Sequence, residues 1–266
     1  MDGCETIDIS NHLREIYESR NILHSLIIKN LFGRYRNTYF GFAWHFFTPA
    51  IMMLVYFFAF TQLRTAQLDN FWIYLGSGLF PFTFMVTNLT GGSGTIVSNS
   101  GMIKKMYFPR EILVLSQVIS TFIIMLLGYV IIVIAMVITG FELSITILLL
   151  PIIFLLMFLF VYGYTLLFSS IAVYSRDLQY FLSSISIVFI FMTPMYFTVD
   201  SVAGPLSTLI WFNPFTYYIE SIHQLVFFGI VPDLGLLAMC LLLPMISMVV
   251  GQYVFNRLKK GFAERL

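Results

Sequence analysis

The residues able to do chemistry are few and scattered. The chain has no G-x-x-x-x-G-K-[ST] phosphate loop, and the dipeptide Gly-Lys never occurs, so it cannot hold ATP by that route. His12, His24, His45 and His223 lack metal-ligand spacing, so no metal site is expected. Gly91-Gly92-Ser93-Gly94 lies inside a long apolar segment and reads as a kink or a close helix contact rather than a phosphate cradle. No G-x-S-x-G elbow occurs, and Asp69, Glu142, Asp200, Glu220 and Asp233 are dispersed along the chain. No catalytic residue, metal or cofactor is therefore expected on this chain.

The elements explain this poverty. Of 266 residues, 59% are hydrophobic and 10% charged, where a soluble domain carries about 25% charge. Too little polar surface exists to cover the apolar mass in water. The 29 Phe and 15 Tyr exclude disorder, and a net charge of +1 without a basic domain argues against nucleic-acid binding. Stretches 37–63, 70–103, 112–141, 143–175, 178–199 and 234–256 contain no Lys, Arg, Asp or Glu. A charge at the bilayer centre costs at least about 2.5–3.5 kcal/mol, so these stretches read as spans. The sequence predicts an all-α polytopic membrane fold with six transmembrane helices at 42–63, 71–97, 113–139, 145–174, 179–199 and 234–255. Barrel strands alternate apolar and polar residues; segment 114–137 is apolar throughout.

Orientation follows from the cations. In the six-span arrangement, Arg64 alone of the fourteen Lys and Arg falls on the opposite side from the rest. Both termini are therefore expected in the cytoplasm, with the first span as an uncleaved anchor. The expected divisions are a cytoplasmic segment 1–41, a transmembrane domain 42–255 with an external segment 200–233, and a cytoplasmic tail 256–266. Residues 11–36 carry apolar stripes at helical spacing (Leu13, Ile16, Tyr17; Leu23, Leu26, Ile27, Leu31) among Arg20, Lys29, Arg34 and Arg36, as an amphipathic interface helix requires. Segment 201–233 is apolar but broken by Pro205, Asn213, Pro214, Gly229 and Pro232, so a re-entrant helical hairpin is expected there. Cys4 and Cys240 cannot meet in this topology.

The spans hold no ionisable relay apart from His45 near one end, so proton or sodium coupling is not expected. If the chain transports, a separate subunit must supply the energy. Aromatic faces can pack on the C–H faces of sugars, and Trp44, Phe46, Tyr56, Phe60, Phe189 and Tyr196 are candidates for such a channel lining. Single aromatics more often face lipid or the interfacial belts.

The run Leu31-Phe-Gly-Arg-Tyr-Arg-Asn-Thr-Tyr-Phe-Gly-Phe-Ala-Trp44, followed by Pro49, resembles the entry segment of type-2 ABC exporter permeases. Ile103-Lys-Lys-Met-Tyr-Phe-Pro-Arg110, Tyr174-Ser-Arg-Asp177, Trp211-Phe-Asn-Pro214 and Phe255-Asn-Arg-Leu-Lys-Lys-Gly-Phe-Ala-Glu264 match in order and spacing. The chain looks most like permeases that export bacterial polysaccharides and polyol phosphates, above all O-antigen permeases; capsule and teichoic-acid permeases share the plan. The resemblance implies a homodimer in the inner membrane, two copies of a separate ABC ATPase carrying ATP and Mg, and a lipid-linked polysaccharide as cargo. It implies an ATPase-coupling helix bearing Lys104, Lys105, Tyr107, Arg110 and Glu111, with Arg176 and Asp177 as a second contact. Two other classes are weighed against it: an ATP-independent channel or flippase, which would have no associated ATPase, and a membrane-embedded transferase, which would form product by itself.

Overall fold

The computed structural model describes residues 18–33, 38–62, 70–105, 108–202 and 204–266, and these form helices joined by turns and short irregular segments. In chain order the helices are α1 (Arg20–Gly33), α2 (Trp44–Gln62), α3 (Phe71–Thr90), two single turns, α4 (Thr95–Ser98) and α5 (Ser100–Ile103), then α6 (Glu111–Ile138), α7 (Leu150–Ala172), α8 (Asp177–Met192), α9 (Pro205–Phe212), α10 (Pro214–Val226), α11 (Leu234–Leu258) and the short α12 (Phe262–Arg265). Four stretches are long and apolar enough to cross a membrane: Gly41–Ala59, Glu111–Ile138, Ile145–Ala172 and Leu234–Gly261. They coincide with four of the six expected spans.

The other two expected spans are the shorter or more polar α3 and α8. α3 is the centre of the bundle: it touches α2, α6, α7, α8 and α10, and most of its length is buried. A helix enclosed by protein can carry Gly76, Ser77, Gly78, Thr83 and Asn88, because neighbours rather than lipid receive its polar groups. Asn88 donates to Thr121 Oγ1 at 2.8 Å and to Phe84 O at 2.8 Å. The sequence expectation of one helix over 71–97 is corrected: α3 stops at Thr90, and Gly92–Gly94 form a 3-10 turn. A side chain at Gly92 would press on Thr165 of α7 at 2.8 Å, so this glycine run serves close packing at a kink. α8 is likewise shorter than 179–199. It ends at Met192 because Thr193 precedes Pro194 and takes an extended conformation (ψ 131°).

α7 and α11 cross most closely. A Cβ on Gly251 would overlap the carbonyl of Gly163, and one on Gly163 would meet the Ser247 backbone. Ser247 donates to the carbonyls of Phe160 (3.2 Å) and Pro244 (3.1 Å). This is small-residue packing, in which backbones touch because no side chain intervenes. Pro244 lies within α11 and cannot donate to the carbonyl four residues back. That carbonyl, Cys240 O, receives the Tyr218 hydroxyl at 3.3 Å instead. Cys240 is a buried free thiol.

Between α8 and α11 the chain forms the two expected short helices. Asn213 ends α9 and caps α10: its Oδ1 accepts from Phe215 N at 3.0 Å, and its Nδ2 donates to Thr193 Oγ1 at 2.7 Å. Pro214 then occupies the first turn, where its missing N–H costs nothing. α10 buries Tyr218, Ile219, Ile222 and His223. The imidazole of His223 stacks on Tyr74 (3.8 Å) and its Nε2–H donates to Tyr74 O at 3.0 Å.

Candidate functional site

Three segments converge at the end of the bundle where α6 begins and α11 ends. Lys259–Gly261 form a 3-10 turn after α11, and α12 follows. A helix end leaves its last carbonyls without partners. Here side chains from two other segments supply them. The Tyr174 hydroxyl donates to Leu258 O at 3.0 Å, and the Arg110 guanidinium donates to Lys259 O. Arg110 also lies over the ring of Phe262 at 5.6 Å, and Arg265 over that of Tyr174 at 5.6 Å. Phe262 is fully buried, edge-on to Phe255 at 5.6 Å. A side chain on Gly261 would run into the Tyr174 hydroxyl. Glu111 is only 2% exposed, and its Oε1 accepts from Lys259 Nζ at 3.3 Å and Gln252 Nε2 at 3.4 Å. The tail thus clasps the start of α6 and the end of α7 together.

α1 joins this end from the side, packed along the first half of α6. Leu26 is buried, Lys29 Nζ donates to Asn99 Oδ1 at 3.1 Å, and Asn30 Nδ2 to Ser116 Oγ at 3.4 Å. His45 Nε2, near the start of α2, lies 3.2 Å from Leu31 O.

The expected coupling residues divide. Lys104 and Lys105 are exposed on the turn after α5, and Arg176 and Asp177 are exposed at the start of α8. Arg110 and Glu111 are drawn inward to the tail. Tyr107 lies outside the described residues. Of the interface-helix cations, Arg20 and Lys29 are exposed on α1, while Arg34 and Arg36 lie outside the described residues.

Five of the six candidate lining residues make ring contacts within the chain. Trp44 meets Phe40 at 5.6 Å and Phe46 meets Phe42 at 5.7 Å. Tyr56 meets Tyr196 at 5.8 Å, and Phe189 meets Phe215 at 5.0 Å. Tyr196 is 4% exposed, and its hydroxyl turns back to Ile190 O. The side chain of Phe60 lies outside the described ones. The outward faces are instead Phe47, Ile51, Leu54, Val55 and Phe58 on α2, and Tyr180, Phe181, Ile187, Val188 and Phe191 on α8. On α2 the spacing of three and four is helical; nothing in the sequence marks these faces, because the helices are apolar on their other sides as well.

Among the described residues no three His, Cys, Asp or Glu come close enough to hold a metal ion. The converging segments can transmit displacement and contact a partner. Residues 22–227 match the family described as ABC-2 type transporter. The chain belongs to that family. It is a multi-pass membrane permease, a non-catalytic transport component, and a permease of this family works with an ABC ATPase subunit.

Among its relatives is an O-antigen export system permease protein RfbA of Klebsiella pneumoniae. It is 28% identical over 239 residues, covering 90% of this chain and 92% of that protein. The protein of the same name from Myxococcus xanthus is 25% identical over 256 residues, covering 96% and 98%.

Proposed function

We propose that the chain is the membrane subunit of an exporter that moves a lipid-linked, O-antigen-like polysaccharide out of the cytoplasm across the inner membrane. The observation that carries this reading is the similarity to O-antigen export permeases over 90% or more of both chains. In this reading α3 and α8 complete a set of six transmembrane helices, and the basic end with both termini is cytoplasmic. The hairpin of α9 and α10 enters the outer leaflet, supported by the burial of α10 against α3.

Two copies of the chain pair, and two ATPase subunits holding ATP and Mg dock below. The exposed apolar faces of α2 and α8 are compatible with the pairing, with α6 and α11, exposed in the same way, left to lipid. Lys104 and Lys105 meet the ATPase, with Tyr107 beside them. Arg110 and Glu111 act from behind by fixing the loop to the tail, and Arg176 and Asp177 provide a second contact. Displacement of this end then passes along α6 and α8 to the channel faces.

The test is co-purification of the ATPase with Lys104→Ala/Lys105→Ala. The expected result is loss of most bound ATPase at unchanged expression and melting temperature. Undiminished ATPase binding and export would contradict the assignment.

A further inference from the structure

Three carboxylates of the external segment that are scattered in sequence gather around one cavity. Asp200, Glu220 and Asp233 line a space of about 460 Å³ together with Trp211, Tyr217 and Gln224. Small-molecule pockets occupy about 300–1,000 Å³. The cavity sits at the first turn of α11, and the clasped tail follows its last. A helix of 25 residues separates the two by roughly 37 Å at 1.5 Å per residue. The cavity is therefore at the opposite end of the molecule from the basic loops.

The wall has two kinds of chemistry. Trp211 and Tyr217 meet at 5.3 Å and 46°, and the Tyr217 hydroxyl donates to Trp211 O at 2.9 Å, which holds the pair in place. Aromatic walls of this kind offer apolar faces beside polar tips. Glu220 is 9% exposed, and its Oε1 accepts from Gln224 Nε2 at 3.1 Å. Its other oxygen makes no hydrogen bond among the described residues. Asp233 spends one oxygen on Leu236 N at 3.2 Å, capping α11.

These features fit a sugar ring: C–H faces against the aromatic rings, hydroxyl donors to the carboxylates. Among the described residues no three carboxylates come close enough to share a metal ion. The features do not fit an acidic sugar, because three like charges would repel it. Desolvation of Glu220 raises its pKa, an effect opposed by its hydrogen bond from Gln224.

We infer that the cavity between α9, α10 and the start of α11 binds one uncharged pyranose unit of a glycan. The inference rests on the export reading for the source of that sugar and for the cavity's external position. In it, Trp211 carries the ring by stacking and Glu220 fixes its hydroxyls.

The test uses the full chain in complex with its ATPase, titrated with maltotriose, trigalacturonate and magnesium chloride, with binding followed by saturation-transfer NMR. Maltotriose is expected to bind, and trigalacturonate at least about tenfold more weakly. Trp211→Leu and Glu220→Gln are each expected to weaken maltotriose by about tenfold or more. If either variant fails to fold, Asp200→Asn on the exposed turn takes its place, with a smaller loss expected. Absent maltotriose binding, equal binding of the two saccharides, unchanged binding in the variants, or displacement of maltotriose by magnesium at constant ionic strength would each overturn the site. ATP-driven glycan export measured in the same preparation separates the two readings. Export without maltotriose binding overturns the sugar site alone, and maltotriose binding without export overturns the export reading while the site stands.

Discussion

At the scale of single residues, Gly163 and Gly251 set the closest helix crossing. Neither has positive φ, so their role is space alone. Ala at Gly251 would place a methyl group against the Gly163 carbonyl. Overpacking of this kind costs about 1–3 kcal/mol, so Gly251→Ala is expected to lower the melting temperature in detergent, and Gly251→Leu to prevent assembly. An unshifted melting curve for Leu would contradict the crossing.

His223 offers a second residue-scale test. It is fully buried, and burial lowers its pKa from the ordinary 6.5 to about 3. Between those values the unfolded chain binds a proton that the folded chain refuses. Stability is therefore full above about pH 6.5 and declines as pH falls toward 3. His223→Gln keeps a donor for Tyr74 O and cannot titrate, so its melting temperature should depend less on pH across that window. An identical pH profile would show that the neutral imidazole is not what acid disrupts.

At the scale of elements, the tail works as a clasp. Arg110 and Glu111 reach it from the start of α6 and Tyr174 from the end of α7, and Lys259 contributes both its carbonyl and its amine. The amine is partly exposed and the carboxylate almost fully buried. Leaving a buried charged group without its partners costs about 1–3 kcal/mol or more. Removal of residues 259–266 is expected to leave the spans inserted but to reduce ATP-driven export severalfold, read by export and by protease accessibility of the loop near Lys104. Full export by the truncated chain would make the clasp merely decorative.

The apolar segments were legible because charge is excluded from them, and the ends of α6 and α11 fall within a few residues of their expected places. The glycine run was legible as a kink for the same reason. The clasp was not: Arg110 and Lys259 stand 149 positions apart, and nothing in either local sequence names the other. Nor was the direction of Phe189 and Tyr196. Along the apolar second half of α8 polarity does not mark which way Phe189 turns, and Tyr196 lies beyond the end of that helix; packing against Phe215 and Tyr56 decides.

At the scale of the whole molecule, the described chain is a bundle centred on α3, with exposed apolar faces on α2, α6, α8 and α11; the pairing proposed above uses those of α2 and α8. A helix that faces only lipid has no reason to meet a second copy. Cysteine at Leu54 on α2 is therefore expected to form an intermolecular cross-link in membranes, while cysteine at Val130, exposed on α6, is not. Cross-linking at Val130 with none at Leu54 would move the pairing face to α6.

A permease of the ABC-2 family works with an ABC ATPase, and the proposed export is expected to draw its energy from that subunit. Translocation of a lipid-linked glycan into sealed vesicles measures this most directly. The chain is reconstituted with and without its ATPase, with its basic end facing the bath that contains ATP and the glycan. Glycan appearing in the lumen only when chain, ATPase and hydrolysable ATP are all present is the predicted result. Equal translocation by the chain alone, without ATP, would contradict it.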